Sequence, residues 1–260
     1  MNHQSKDQRV FKELIRFLDR RKTSTASPDQ LVLEVGKFFL QRPYGVGSLE
    51  TKGGERLVIN LRAFDCVTFV ENVIALAWCV KSRQESFESF KRLLRKIRYR
   101  QARLQGYASR LHYFADWIYD NQKKRFVRDI TAEIGGRPFR KVINFMTIHP
   151  ESYPPLEVTV NLRRMKSVEK AISRRSLYDI PKKFVRTLED RIQDGDVIAI
   201  TTNTEGLDVQ HVGFAVRVKN RIHLVHASSA EGRVVLSRQT LYRYLMQSRT
   251  RSGILVGRLV

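Results

Sequence analysis

The stretch Leu61-Arg-Ala-Phe-Asp-Cys-Val-Thr-Phe-Val-Glu-Asn-Val-Ile-Ala-Leu76 constrains this chain more than any other. Asp65 is a good helix N-cap, and the apolar residues after it recur at helical spacing, so an amphipathic helix is predicted to open at Cys66. A cysteine in a first helical turn meets free backbone N–H groups and the positive end of the helix dipole, both of which favour a thiolate. Such a thiol suits a nucleophile better than a core filler. The helix must then pack where other elements can bring a base to its N-terminus.

The chain has two cysteines, Cys66 and Cys79, thirteen positions apart on this one predicted helix. That separation is about 20 Å of helix axis, too long for a disulfide, so no disulfide framework supports the fold. Cys79, in Ala75-Leu-Ala-Trp-Cys-Val80, reads as a buried core residue. With 260 residues the chain can bury a sizeable core and is read as a single catalytic domain, 1–260. No apolar run is long enough to span a membrane. The segment Met1–Val10 has no apolar core of a secretory signal, so the expected location is the cytoplasm as written, or the envelope if a signal has been removed.

The net charge of +22 invites a nucleic-acid reading. The basic residues are dispersed, however, in groups such as Arg95-Lys-Ile-Arg-Tyr-Arg100, Lys123-Lys-Arg125 and Lys182-Lys183, and no nucleic-acid motif accompanies them. They read as a solvated basic surface suited to anionic polymers, with no specific nucleic-acid partner expected.

Along the chain, residues 8–20 and 28–41 look helical, the second with Ser27 as cap and Pro28 at its first position. Arg42-Pro-Tyr-Gly-Val-Gly47 is a loop, Leu57–Leu61 a short strand, 66–82 the cysteine helix and 86–101 a very basic amphipathic helix. Further helices are expected around 111–123 and 164–175. The last third is β-rich, over 195–201, 211–218, 222–227 and 254–260. The organisation is therefore α+β: a mainly helical part (1–60), the nucleophile helix (61–83), a helical and loop insertion (84–190) and a β-rich part (191–260). The helix at Cys66 is expected to pack on a small antiparallel sheet.

A cysteine nucleophile needs a base within hydrogen-bond reach and a polar group to orient that base. Of six histidines, His3 lies at the terminus and His112 and His149 in the middle region. His211, His223 and His226 fall on two adjacent strand-like runs, close enough to form a hairpin over Lys219-Asn220. With an even-length loop, paired positions sum to an odd number, and His211 and His226 share one face, directly opposite or diagonal. His223 then lies on the other face with Val212, Phe214, Val216 and Val218. No CxxC, HxxxH or HExxH spacing is present, and no metal is expected.

Phe64-Asp-Cys-Val-Thr-Phe-Val70, His211-Val-Gly-Phe214 and Val225-His-Ala-Ser228, in that order, resemble the NlpC/P60 cysteine peptidases. Arg42-Pro-Tyr-Gly-Val-Gly47 resembles that family's Pro-Tyr segment. From about residue 44 onward the chain is similar to one branch, the DUF1460 family, through Gly47-Ser-Leu-Glu50, Ser109-Arg-Leu-His-Tyr113, Asp194–Thr201 and Gly206–Gly213. The resemblance implies a papain-like core with additional N-terminal and inserted helices. It implies Cys66 as nucleophile, His211 as general base, His226 as the group that orients it, and Tyr44 as an oxyanion or substrate contact. It requires no cofactor. The peptidases carry Asp-Cys-Ser-Gly where this chain has Asp65-Cys-Val-Thr68, and the DUF1460 branch is associated instead with N-acetylmuramoyl-L-alanine amidase activity. The expected partner is a muropeptide or peptidoglycan fragment, anhydro forms included. A γ-D-glutamyl-diaminopimelate endopeptidase and a non-catalytic basic polymer-binding protein are the alternatives. Arg110, His112, Asp116 and Trp117, on the middle helix, are further candidates for substrate contact.

Overall fold

The computed structural model describes residues 3–51 and 53–260. Its first half is helical: α1 (His3–Arg20), α2 (Pro28–Phe38), α3 (Cys66–Lys81), α4 (Phe87–Arg98) and α5 (Phe114–Lys123). Two short strands, β1 (Val127–Asp129) and β2 (Arg137–Phe139), precede α6 (Phe145–Ile148), α7 (Thr159–Ser173), β3 (Leu177–Pro181) and α8 (Lys182–Leu188). The last third holds β4 (Val197–Thr202), β5 (Val209–Val218), β6 (Arg221–Ser228), β7 (Arg233–Leu236), α9 (Leu241–Met246) and β8 (Arg251–Leu259). The strands make one antiparallel sheet in the order β2-β3-β8-β4-β5-β6-β7, with β1 also paired to β8. The fold is α+β as expected, but its sheet has eight strands rather than a few.

Alternation along the central strands sorts side chains onto two cores. Val212, Phe214, Val225 and Ala227 face α2 and α3. Ile200, Ala215, Leu224 and Ile254 face Val185 of α8 and Leu241 and Leu245 of α9. Among the described residues no helix is long and apolar enough to cross a membrane.

The α3 helix is more enclosed than an amphipathic pattern implies. From Thr68 to Val80 every residue but Trp78 is buried, because α2 and α4 cover the sides that the sheet leaves open. Cys79 is buried as predicted, its thiol donating to the Gln84 carbonyl at 2.8 Å in the turn toward α4. Enclosure forces the polar residues of α3 to find partners. Glu71 receives Arg98 Nε at 2.6 Å, and Arg98 Nη1 also donates to the Val58 carbonyl at 2.6 Å. Both side chains of this ion pair are almost wholly out of water. Thus α4 is less a basic surface helix than expected, since its last residue, Arg98, reaches into the core.

That same contact explains why Leu57–Leu61 is not a strand. Its backbone groups are taken by side chains instead of a ladder: Val58 O by Arg98, and the Leu61 N–H by Asp7 at 3.0 Å. The 84–190 region is also not purely helices and loops, for it supplies β1, β2 and β3, each of three to five residues.

Replacing Arg98 alone strands a buried carboxylate, whose pKa burial already raises. Arg98→Met is expected to cost about 3–5 kcal/mol in urea unfolding, and Arg98→Met/Glu71→Leu to recover most of that loss. A single-variant loss below about 1 kcal/mol would show that the pair does not hold α4 to α3.

Candidate active site

Pro43, Tyr44 and Gly45 run beside the segment that enters α3. Tyr44 bridges to Phe64 in parallel, Phe64 N–H donates to the Pro43 carbonyl at 3.1 Å, and Gly45 N–H to the Phe64 carbonyl at 2.9 Å. One residue on, Asp65 caps the helix. Its Oδ1 accepts the Thr68 N–H at 2.7 Å, while the Asp65 N–H donates to Thr68 Oγ1 at 3.0 Å. Thr68 thus completes a reciprocal capping box in the role usually taken by Glu or Gln. This fixes Cys66 as the first helical residue.

Position alone does not ionise the thiol. Burial first, and the neighbouring Asp65 carboxylate second, push the Cys66 pKa up to about 12. The N–H groups of Val212, Val67 and Cys66 itself work in the opposite direction and are outweighed. The helix terminus was expected to favour a thiolate, but the resting site holds a neutral thiol. Its contact with the Val212 N–H sets Cys66 beside the residue that follows His211.

The hairpin follows the predicted parity. Lys219 and Asn220 form its two-residue turn, both with positive φ (48° and 62°), and Val218 pairs with Arg221. The pairing Phe214↔Val225 gives the odd sum and, one step further, sets Gly213 opposite His226. His211 is therefore diagonal to His226 on one face, and His211 Nε2 lies 2.6 Å from His226 Nδ1. A register shift between Ile200 and Thr201 of β4, opposite His211, bends the strand here. Gly213 makes the diagonal contact possible, since a Cβ there would stand 2.8 Å from His226 Cβ. His223 is on the other face, its Nδ1 2.9 Å from the Ser237 carbonyl.

Both site imidazoles are held neutral. Burial, then His226 and Arg251, lower the His211 pKa to about 3, and burial followed by Arg251 lowers that of His226 to about 4. Two residues complete this side without having been singled out in the sequence. The Tyr244 ring lies 6.0 Å from that of His211 and 5.7 Å from that of His226, and the Arg251 guanidinium covers it at 3.8 Å. Tyr244 belongs to a six-residue helix too short for a periodic signal, and Arg251 is one of 48 basic residues. Tyr44 is half-buried against the same cluster. Burial first, then electrostatic coupling to the neighbouring Cys66, Asp65 and Tyr244, pushes its pKa up to about 12.

On its other side Cys66 opens into a cleft of about 220 Å³, whose walls include Glu50, Asp65, Glu71, Arg110 and His112. Arg110 and His112 are thus near the thiol, although they sit on the segment before α5 rather than on a helix. His112 is half-buried, desolvation holds its pKa well below the ordinary value, and its Nε2 lies 2.9 Å from the Tyr107 carbonyl. Asp116 and Trp117 do not line the cleft. Asp116 is buried between Arg100 and Arg175, and Trp117 is a core residue stacked on Phe114 at 4.7 Å. His149 lies at the surface 3.5 Å from Glu151, and the His3 side chain lies outside the described residues.

With its thiol protonated at rest, Cys66 should react slowly with iodoacetamide at pH 7. The rate, followed by peptide mass spectrometry, is expected to rise about tenfold per pH unit to beyond pH 9. A plateau reached below pH 7 would instead mean a standing thiolate–imidazolium pair.

Known proteins share the fold of this chain. An N-acetylmuramoyl-L-alanine amidase from Bacteroides uniformis superposes with a TM-score of 0.85 at 39% identity, over 90% of this chain and 99% of that one. A Bacteroides fragilis protein for which xylanase activity has been suggested matches at 0.82 and 38% identity, over 87% and 100%. The Legionella pneumophila protein LPG0564, assigned to DUF1460, shares the fold at 0.76 and 22% identity, over 100% and 97%. A search of curated proteins returned no match. Residues 34–254 match the AmiA-like family, described as N-acetylmuramoyl-L-alanine amidase-like, and the chain belongs to that family.

Proposed function

We propose that this protein is a cysteine hydrolase with a papain-like, NlpC/P60-type core. On this reading it cleaves the amide between N-acetylmuramic acid and L-alanine in muropeptides, anhydro forms included. The observation that carries the reading is the placement of Cys66. It sits at a capped helix N-terminus, on the backbone N–H that follows His211, whose Nε2 is in turn held by His226.

Engagement of Nε2 leaves Nδ1 of His211 to receive the thiol proton, with Nε2–H donating to His226 Nδ1. Because thiol and imidazole are both neutral at rest, proton transfer accompanies attack of the sulfur on the lactyl carbonyl carbon. The developing oxyanion is stabilised by the Cys66 backbone N–H and the Tyr44 hydroxyl. The tetrahedral adduct collapses as the C–N bond breaks, and the imidazolium gives its proton to the L-alanine nitrogen. Water, deprotonated by His211, then cleaves the thioester. This releases the muramoyl carboxylate and regenerates the thiol. The carboxylates of the cleft are already engaged: Asp65 in the cap, Glu71 with Arg98 and Glu50 with Arg110. They offer no free acid and base pair of the kind glycoside hydrolysis uses.

Product masses from disaccharide–L-Ala-γ-D-Glu-diaminopimelate test the assignment. Free disaccharide plus intact peptide is expected, whereas cleavage after D-glutamate would make the enzyme an endopeptidase. His211→Ala is expected to lower kcat by at least about 100-fold. His226→Ala should lower it less, with partial rescue by His226→Asn, which keeps an acceptor for His211. Unchanged kcat in His211→Ala would remove His211 from the mechanism.

A further inference from the structure

Arg110 is buried, 5% exposed, yet it borders the cleft at Cys66. It is the one permanent cation among the described cleft-lining residues. Its guanidinium rests 5.0 Å above the Tyr107 ring, and its two carboxylate neighbours differ in kind. Glu55 is deeply buried, accepts the Tyr99 hydroxyl at 2.7 Å and stands 3.7 Å from Arg110 Nε. Glu50 is 48% exposed and accepts Arg110 Nη2 at 2.6 Å. Arg110 Nε itself has no hydrogen-bond partner among the described residues. A buried guanidinium with an unused donor is a costly arrangement, and it is resolved when a carboxylate engages the fork at two points.

We infer that Arg110 is the seat for a substrate carboxylate, and that Glu50 fills this seat in the free protein and is displaced when substrate binds. Glu55 is the fixed counter-ion that keeps the guanidinium in place through the exchange. The inference rests on the amidase reading, which also names the group. One residue beyond the scissile amide, a γ-linked D-glutamate leaves its α-carboxylate free. An extended path of two residues spans at most about 7 Å from the lactyl carbonyl to that carboxylate, and Cys66 and Arg110 line the same cleft. The other cleft carboxylates cannot serve as the stand-in. Asp65 is committed to the helix cap, and Glu71 to Arg98. A cleft with three carboxylates and one cation would repel an anionic peptide unless one of the three moves away, and only Glu50 is both exposed and bound to the cation.

Calorimetric binding to the Cys66→Ala protein tests this without any need for turnover. The probes are the disaccharide tripeptide with D-glutamate and the same molecule with D-isoglutamine, whose α-carboxylate is a carboxamide. The glutamate form should bind about tenfold tighter. Glu50→Gln should tighten the glutamate form selectively, and Arg110→Lys, which keeps the charge but loses the fork, should abolish the preference. Equal affinity for the two forms, weaker glutamate binding by Glu50→Gln, or no binding of either form would overturn the inference. A carboxylate preference without cleavage by the wild type would leave Arg110 as a carboxylate seat and refute the amidase reading. Equal cleavage and equal binding of both forms would do the reverse.

Discussion

The molecule is organised around a helix, α3, that has almost no water-facing side and that opens at Cys66. Edge-to-face aromatic contacts fix that point. Phe39 meets Phe64 at 4.9 Å, Phe64 meets Phe69 at 5.9 Å, and Phe69 meets Phe214 at 5.9 Å. The series runs from the end of α2, through the segment entering α3, across its first turn and onto the strand that carries His211. Each contact is worth only about 0.5–1.5 kcal/mol beyond its buried area, but all four rings are fully buried and none can turn without the others. Cys66 lies between Phe64 and Phe69 in the middle of this series and His211 lies on the strand at its end, so the cysteine-to-strand geometry depends on core packing rather than on a loop.

Enclosure has an electrostatic consequence. The burial that makes the site precise also disfavours every charge in it, so the thiol is pushed up and both imidazoles are pushed down. A helix dipole and three backbone N–H groups do not reverse a balance set first by burial and then by Asp65 beside the sulfur. In the proposed mechanism this is why attack of the sulfur is coupled to proton transfer. Arg98 and Glu71 keep their charges in the interior as a pair, whereas Arg110 Nε has no hydrogen-bond partner among the described residues.

Much of this was legible in the chain, for reasons that differ by element. The Cys66 helix was readable because capping is local chemistry, with donor and acceptor three residues apart at Asp65 and Thr68. The histidine pair was readable because strand parity and a two-residue turn fix a register without tertiary knowledge. The strand read at Leu57–Leu61 failed because its partners are the side chains of Arg98 and Asp7, 40 and 54 residues distant. The short strands of the 84–190 region carry too few residues to show alternation. Asp116 and Trp117 lie on a helix whose inward face only the packing reveals, and Tyr244 and Arg251 come from a short helix and a strand start with no local mark of function. At the thiol, burial that no local residue pattern marks outweighs the helix terminus.

Intact-protein mass spectrometry of rapidly quenched turnover tests the proposed covalent catalysis at Cys66 directly. Wild type mixed with disaccharide–L-Ala-γ-D-Glu-diaminopimelate should gain the mass of the muramoyl-disaccharide acyl group, mapped to Cys66, and Cys66→Ala should show neither adduct nor product. Undiminished release of peptide by Cys66→Ala would contradict the assignment of Cys66 as the nucleophile.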